Sequence, residues 1–161
     1  MVSRKFILIA EDDANDAELI RRAFETAKTP NPLRFVRDGA EVIDYLSGEG
    51  AFKDRNKNPL PALLLLDVWM PLKNGFEVLK WLRSQAGFSS LPVILLTGSQ
   101  DMRDVNRAYQ LGANSFLLKP AGFHQLVEMS QNFLQYWLQN SVVPETFRPP
   151  PASPLLGRVT V

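Results

Sequence analysis

The chain has 161 residues with 18 basic and 17 acidic side chains, which favours one domain with its own core and argues against nucleic acid as a partner. Cysteine is absent, so disulfides, thiolate metal ligands and a cysteine nucleophile are excluded. No apolar run approaches the roughly 18 residues of a membrane span and no secretory signal is evident, so we expect a soluble cytoplasmic protein without a membrane partner.

Five apolar runs alternate with amphipathic stretches along the chain. The apolar runs predict short strands that are covered on both faces, and the amphipathic stretches predict helices. In chain order, the predicted elements are strand 6–10, helix 14–28, strand 33–36, helix 40–46, strand 62–66, helix 76–82, strand 92–96, helix 101–111, strand 115–118 and helix 123–138. The polar connection over residues 51–61 is unusually long, and connections of this length are often functional or mobile.

This alternation predicts a doubly wound α/β fold, (βα)5, around a parallel sheet. Because right-handed crossovers leave few topologies, we expect the flavodoxin-like strand order 2-1-3-4-5 with a C-terminal extension. The last 18 residues of the chain hold five of its 12 prolines, and proline cannot continue a helix or a central strand. We therefore assign residues 1–139 to one domain and residues 140–161 to a proline-rich tail outside the compact fold.

Polar side chains follow the strands at the edge where sheets of this kind bind ligands. Glu11 and Asp12 follow the first strand, Asp67 the third, Thr97 the fourth and Lys119 the fifth. Each residue alone has an ordinary explanation as a helix cap or a turn residue. Together, however, closely placed carboxylates repel one another unless a cation neutralises them. Carboxylate oxygens suit Mg²⁺, and a lysine is a good partner for phosphate.

Four segments of the sequence also match a known pattern in order and spacing. They are ILIAEDD (residues 7–13), LLLDVWMPLKNG (64–75), LTG (96–98) and FLLKP (116–120). Over about residues 4–139, the chain therefore resembles the receiver domains of two-component response regulators. The resemblance implies a signalling switch rather than an enzyme, which takes a phosphoryl group from a histidine of a sensor kinase.

The resemblance implies a role for each acidic residue at the strand ends. Asp67 would be the phosphoacceptor, Asp12 would bind Mg²⁺ directly beside it, and Glu11 would bind the ion through water. The backbone oxygen of Trp69 would supply another ligand. Since a carboxylate is itself the nucleophile, the chemistry needs no general base, and the single histidine, His124 on the last helix, is expected to be a surface residue.

Thr97 and Lys119 would contact the phosphoryl oxygens, and a cis peptide before Pro120 would aim the lysine inward. In the switch that the resemblance implies, the Thr97 hydroxyl turns to the phosphoryl group and Phe116 fills the space it leaves. The readout surface would be the fourth helix, fifth strand and fifth helix.

Two residues are expected to tune the lifetime of the phosphorylated state. Trp69 lies two positions after Asp67 and Ser99 two positions after Thr97, so their side chains flank the path of water to the phosphoryl group. We expect the bulk of Trp69 to slow dephosphorylation.

Three other classes of function are open to a fold of this kind. A phosphorylation-independent adaptor would not need Glu11, Asp12, Asp67, Thr97 and Lys119 together. A phosphohydrolase would want a second aspartate where Trp69 stands. A nucleotide- or flavin-binding protein would carry a glycine-rich turn after the first strand, where this chain has EDDAN at residues 11–15.

The length beyond the last helix bears on the output. About 22 residues follow residue 139, fewer than the roughly 60 of a DNA-binding module, so we expect a stand-alone receiver without nucleic acid contact. The long connection around residues 48–50 and the segment 136–144 resemble the response regulators of bacterial and cyanobacterial phytochromes. This implies a light-sensing histidine kinase as partner and a homodimer.

The fifth helix supports a dimer because its apolar residues occupy more than one face. Cover could come from a second subunit through the fourth helix, fifth strand and fifth helix, or from the tail folding back. Residues 142–143 and 155–156 are the apolar candidates for such an arm.

Overall fold

The computed structural model describes residues 5–144 as one five-stranded parallel sheet in the order β2-β1-β3-β4-β5, with helices on both faces. The strands are β1 (Ile7–Ala10), β2 (Leu33–Val36), β3 (Leu63–Leu66), β4 (Val93–Thr97) and β5 (Ser115–Leu118). The helices are α1 (Ala14–Thr26), α2 (Gly39–Ser47), α3 (Gly75–Ser84), α4 (Met102–Gln110) and α5 (Phe123–Leu134). The flavodoxin-like order predicted from the sequence is confirmed, and the element bounds differ from the predicted ones by a few residues.

The register of the strands brings the polar residues to one edge of the sheet. Ala10 pairs with Leu66, so the residues that follow β1 and β3 leave the sheet side by side. Thr97 pairs with Leu118, which places Lys119 next to the end of β4. The position of the site is therefore a consequence of the strand register.

Two buried clusters hold the helices against the two faces of the sheet. One cluster joins one face of the sheet to α2, α3 and Ala108 of α4. The other joins the opposite face to α1 and α5. β1 and β3 are buried along their whole length, which explains why their sequences are continuous apolar runs.

Side-chain caps fix the starts of the helices around the site. The Asp13 carboxylate accepts a hydrogen bond from the Asp16 backbone N–H and so caps α1. Asn74 and Glu77 form a reciprocal capping box at α3. These caps also fix the loops that lead from the strand ends into the helices.

The long connection between α2 and β3 is held by hydrogen bonds along its length. The Arg55 guanidinium donates to the carbonyl oxygens of Tyr45 at 2.7 Å and of Leu46, which end α2. The Tyr45 hydroxyl donates to the carbonyl of Pro59 at 2.9 Å, and a 3₁₀ turn forms at Gly50–Phe52. The connection is thus attached to α2 at several points.

The C-terminal end of the domain differs from the prediction. α5 ends at Leu134 and continues as a π-helical segment, Gln135–Asn140. Val143 is 7% exposed and belongs to the same buried cluster as Phe24 and Phe133. An apolar side chain that follows the predicted boundary at about residue 140 therefore packs in the core, while the boundary itself stays a prediction. Of the proposed arm residues, 155–156 lie outside the described part of the chain.

None of the helices within residues 5–144 has the length and apolar character needed to cross a membrane.

The anchoring of the C-terminal segment can be tested with adjacent valines. Val143→Ala removes two buried methyl groups, so we expect the free energy of unfolding to fall by about 1–2 kcal/mol. Val142 is 93% exposed, and Val142→Ala should leave the stability unchanged. Urea unfolding of both variants makes the comparison, and equal stabilities would show that the chain beyond α5 contributes nothing to the core.

Candidate functional site

Asp67 lies directly after β3 at the centre of the edge and is 7% exposed. Its backbone N–H donates to the carbonyl of Ala10 at 3.1 Å, which fixes it beside the end of β1. The N–H of Trp69 donates to the Asp67 carboxylate at 3.3 Å. A β-carbon at Gly75 would lie 2.5 Å from the Asp67 carbonyl oxygen, so only glycine allows α3 to begin this close to the aspartate.

The Lys119 ammonium lies among three carboxylates. Its Nζ is 2.5 Å from Glu11 Oε2 and 3.0 Å from Asp67 Oδ2, and a longer contact of 3.4 Å reaches Asp16 Oδ2. Glu11 is 3% exposed, so the shortest of these ion pairs is buried. A single cation therefore joins the ends of β1, β3 and β5 with the first turn of α1.

The charges in this cluster perturb one another. Burial and the neighbouring charge of Asp67 raise the pKa of the Glu11 carboxyl to about 7, although the hydrogen bond from Lys119 acts in the opposite direction. Burial opposes the charge of Lys119, but hydrogen bonds and charges from Glu11 and Asp67 outweigh it and raise the pKa of the ammonium above its usual range. The pair of buried carboxylates thus carries more negative charge than the one lysine offsets.

A cluster of oxygen donors suited to a hard divalent cation surrounds Asp67. One carboxylate oxygen from each of Glu11, Asp12 and Asp67 lies within 4.8 Å of the others. Asp12 is exposed while its two neighbours are buried, so the cluster opens to solvent on one side. An oxygen-only set with an open side fits Mg²⁺, which binds few carboxylates and keeps several waters.

Thr97 and Ser99 form the rim of the site at the end of β4. Thr97 is buried, its hydroxyl oxygen accepts a hydrogen bond from the Ser99 N–H at 3.3 Å, and its carbonyl accepts one from the Lys119 N–H at 2.9 Å. The Ser99 hydroxyl donates to Asp104 on α4 at 2.8 Å. The β4–α4 loop therefore connects the predicted switch threonine to α4.

Two aromatic residues of the predicted mechanism lie on either side of this arrangement. Trp69 is 53% exposed, and its ring meets the edge of Phe76 with a centroid distance of 6.0 Å. Phe116 is half-buried against the cluster on the α3 and α4 side, and its backbone N–H donates to the Tyr109 hydroxyl at 3.2 Å. Their roles in tuning and switching stay predictions.

The prediction of a cis peptide bond between Lys119 and Pro120 is wrong, since no peptide bond within residues 5–144 is cis. The lysine reaches Glu11 and Asp67 with a trans bond, because the end of β5 already points it at the site. His124 is exposed on α5, as expected.

Sequence reasoning brought together Glu11, Asp12, Asp67 and Lys119 correctly and missed two acidic partners. Asp16 contacts Lys119 and Asp104 contacts Ser99. Both residues stand in the first turn of a helix, where an acid is ordinarily explained by the helix dipole. One feature of the sequence could have indicated these contacts: α1 and α4 both begin at the edge of the sheet that carries the site.

The fold and the site define a receiver domain, and comparison with known proteins agrees. A model of the response regulator receiver domain family matches residues 7–131. The chain belongs to this family. It is 31% identical over 140 residues to the response regulator Rcp1 of Synechocystis sp., an alignment that covers 87% of this chain and 93% of Rcp1.

Solved structures extend the likeness to a phytochrome response regulator and to a response regulator in red light signalling. The phosphorylated cyanobacterial phytochrome response regulator RcpA has a TM-score of 0.81 and 32% identity, covering 88% of this chain and 99% of RcpA. The response regulator RPA3017 of R. palustris, in red light signalling, has a TM-score of 0.84 and 34% identity, with coverage of 88% and 99%. Rcp1 in its Mn²⁺-bound form has a TM-score of 0.78 and 31% identity, with coverage of 87% and 99%.

The raised pKa of Glu11 predicts a pH dependence of stability. The folded-state pKa is about 7 against an ordinary 4.5, so the contribution of Glu11 is most favourable below about pH 4.5 and is lost as the pH rises through about 7. Glu11→Gln removes this titration. Between about pH 5 and about pH 8, the stability of the variant should therefore rise relative to the natural chain by about 1–3 kcal/mol.

The measurement is chemical unfolding at both pH values in the presence of EDTA. The matched control is Glu49→Gln, an exposed glutamate after α2, which should show no such change. A difference between Glu11→Gln and the natural chain that does not vary with pH would contradict the burial of a perturbed carboxyl at this position.

Proposed function

We propose that the protein is a single-domain response regulator that accepts a phosphoryl group on Asp67 from a histidine of a sensor kinase. The observation that carries the proposal is the arrangement at the ends of β1, β3 and β5, where the Lys119 ammonium contacts the carboxylates of both Glu11 and Asp67. The Asp67 side chain is 9% exposed, and its carboxylate belongs to the acidic cluster that opens to solvent at Asp12, so this carboxylate can act as the nucleophile.

The transfer needs positioning and charge neutralisation more than proton transfer. An Asp67 carboxylate oxygen attacks phosphorus, the bond from phosphorus to the donor nitrogen breaks, and an acyl phosphate forms. Lys119 stays within reach of the new phosphoryl oxygens because Glu11 and Asp16 hold it from the other side. The Thr97 hydroxyl, at the end of the neighbouring strand, is the second group that would meet the phosphoryl oxygens.

Glu11, Asp12 and Asp67 would hold a Mg²⁺ ion, with the backbone oxygen of Trp69 as a further ligand. The ion supplies the positive charge that allows an anionic donor to approach three carboxylates. The Mn²⁺-bound form of the related Rcp1 supports a divalent ion in this family. The protein is in this proposal a switch that promotes its own phosphorylation and dephosphorylation, rather than an enzyme with a separate substrate.

The acceptor is tested with acetyl phosphate and Mg²⁺. Intact-mass spectrometry should show one added phosphoryl group on the natural chain and none on Asp67→Asn. Asp54→Asn, at an exposed aspartate of the α2–β3 connection, is the matched control and should be labelled normally. Equal labelling of natural and Asp67→Asn chains, or none on either, would favour the alternative of a phosphorylation-independent adaptor.

Trp69 is proposed to slow the loss of the phosphoryl group. Trp69 follows Asp67 by two residues, and its indole packs edge-to-face against the Phe76 ring. The indole can therefore exclude water from one side of the acyl phosphate. Trp69→Asn should shorten the lifetime of the phosphorylated chain several-fold, measured by mass spectrometry after removal of the donor.

The control for this variant is Leu72→Asn, which changes a more exposed side chain of the same loop. Position 72 has a positive φ, which asparagine tolerates. Its lifetime should equal that of the natural chain. A Trp69→Asn lifetime no shorter than this control would remove the shielding role.

The partner is proposed to be a phytochrome-type histidine kinase. Support comes from the likeness to RcpA and RPA3017, because each alignment covers nearly the whole length of the related protein. RcpA is a cyanobacterial phytochrome response regulator, and RPA3017 is a response regulator in red light signalling. We infer a cytoplasmic place of action, with output through protein contacts rather than nucleic acid or membrane.

A homodimer through α4, β5, α5 and the C-terminal arm is proposed as the assembly. Leu118, Phe123 and Tyr136 are exposed apolar or aromatic residues on this side of the domain, and large side chains of this kind favour cover by a symmetric contact. Phosphorylation would change this face through Thr97 and Phe116 by shifting the population of its two arrangements.

The contribution of the C-terminal arm is tested by gel filtration of the full chain against a chain that ends after residue 144. The truncated chain keeps Val143 in the core, so its fold should persist and its apparent mass should halve. A truncated chain that remains dimeric would place the interface on α4, β5 and α5 alone. A monomeric full chain would contradict the dimer.

A further inference from the structure

Ser99 connects the Thr97 hydroxyl to α4 through two hydrogen bonds. Its backbone N–H donates to Thr97 Oγ1 at 3.3 Å, and its hydroxyl donates to Asp104 Oδ2 at 2.8 Å. The same hydroxyl oxygen receives a longer contact of 3.5 Å from the Asp101 N–H. Ser99 is therefore held from both ends of the turn that leads from β4 into α4.

Asp104 is the strongest of these partners. Its bond to Ser99 has a charged acceptor, and such bonds are shorter and stronger than neutral ones. The contact is only partly exposed, since both side chains are half-buried. The N-cap of α4 is a different residue, Asp101, whose carboxylate accepts from the Arg103 N–H and pairs with the Arg103 guanidinium. Asp104 is thus free of the capping role and is committed to Ser99.

Helix α4 has few other attachments. Ala108 is the one α4 residue that is fully buried. Further contacts of α4 include the Arg107 guanidinium over the Phe76 ring at 4.4 Å and the Tyr109 hydroxyl, which accepts from the Phe116 N–H. With so small a buried surface, one charge-assisted hydrogen bond at the first turn is a substantial part of what holds this helix to the site.

From these contacts we propose that Asp104 is a positioning residue which, through Ser99, restrains the Thr97 hydroxyl and so sets how readily Asp67 is phosphorylated. The inference rests on the proposed function and deepens it. To meet a phosphoryl oxygen on Asp67, the Thr97 side chain turns toward that residue, and in this proposal the turn lengthens its contact with the Ser99 N–H. While Asp104 holds the Ser99 side chain, the loop cannot follow that movement. The Asp104–Ser99 bond therefore stabilises the arrangement in which Thr97 faces its own loop.

The consequence is that loss of the bond favours phosphorylation. Breaking it removes part of the difference in free energy between the two arrangements of Thr97, and the accessible fraction of the phosphoryl-binding arrangement rises accordingly. The initial rate of labelling by acetyl phosphate with Mg²⁺ should increase about three- to tenfold in Asp104→Ala, which is the range for one hydrogen bond to a charged group that is partly exposed.

Two variants separate this role from a merely structural one. Asp104→Asn keeps a neutral acceptor for the Ser99 hydroxyl but removes the charge, so its labelling rate should lie between the natural rate and that of Asp104→Ala. Asn106→Ala changes an exposed residue of the same helix and should also label normally. In a Ser99→Ala background, Asp104→Ala should have no further effect, because the partner is already absent.

The experiment measures the labelling rates and, without any donor, the hydrogen exchange of backbone amides in residues 98–105. Asp104→Ala should exchange faster in this segment, Asp104→Asn should lie between it and the natural chain, and Asn106→Ala should exchange like the natural chain. Exchange that is unchanged in Asp104→Ala would overturn the restraint itself, whatever the labelling shows. Unchanged or slower labelling with faster exchange would overturn its effect on Thr97, and equal rates in Asp104→Ala and Asp104→Asn would assign the effect to charge instead.

If the natural chain is not labelled at all, the proposed function fails and the regulatory role fails with it, while the exchange data still report on the contact.

Discussion

The structure depends on one ammonium group that lies among carboxylates at the ends of three strands. Lys119 joins β5 to Glu11 after β1 and to Asp67 after β3. Two buried acids would repel each other across neighbouring strands, and the lysine makes their proximity tolerable. It leaves an excess of negative charge, so the same arrangement that holds the strand ends together also attracts a cation and an anionic group bound to that cation. Stability and chemistry here use the same few atoms.

The sequence was sufficient for the sheet and for the centre of the site because both follow from patterns that act locally. Continuous apolar strands specify a buried parallel sheet, and the residue after each strand is carried to the edge by the register alone. The contacts of Asp16 and Asp104 were out of reach for the opposite reason. They depend on where the first turn of a helix lies relative to another strand, which no local pattern specifies. The burial of Val143 likewise depends on packing with the α1 and α5 cluster, which no local pattern specifies.

Helix α4 differs in character from the rest of the domain. The other helices bury several apolar residues each, whereas α4 buries Ala108 and is otherwise attached by polar and cation–aromatic contacts. Polar contacts depend on direction and can be exchanged for others, while apolar burial resists displacement. A helix attached in this way can move at small cost, which suits the element nearest to the residues proposed to respond to phosphorylation.

The burial of Val143 determines where the described chain leaves the domain. α5 starts at the site edge and spans 12 residues, or roughly 18 Å at about 1.5 Å per residue, before the chain turns to place Val143 against the α1 and α5 side. A fluorescent protein or affinity tag joined after residue 144 would therefore be attached at the far end of α5. For imaging or immobilisation, a tag joined at this point is remote from the carboxylates that a kinase must reach.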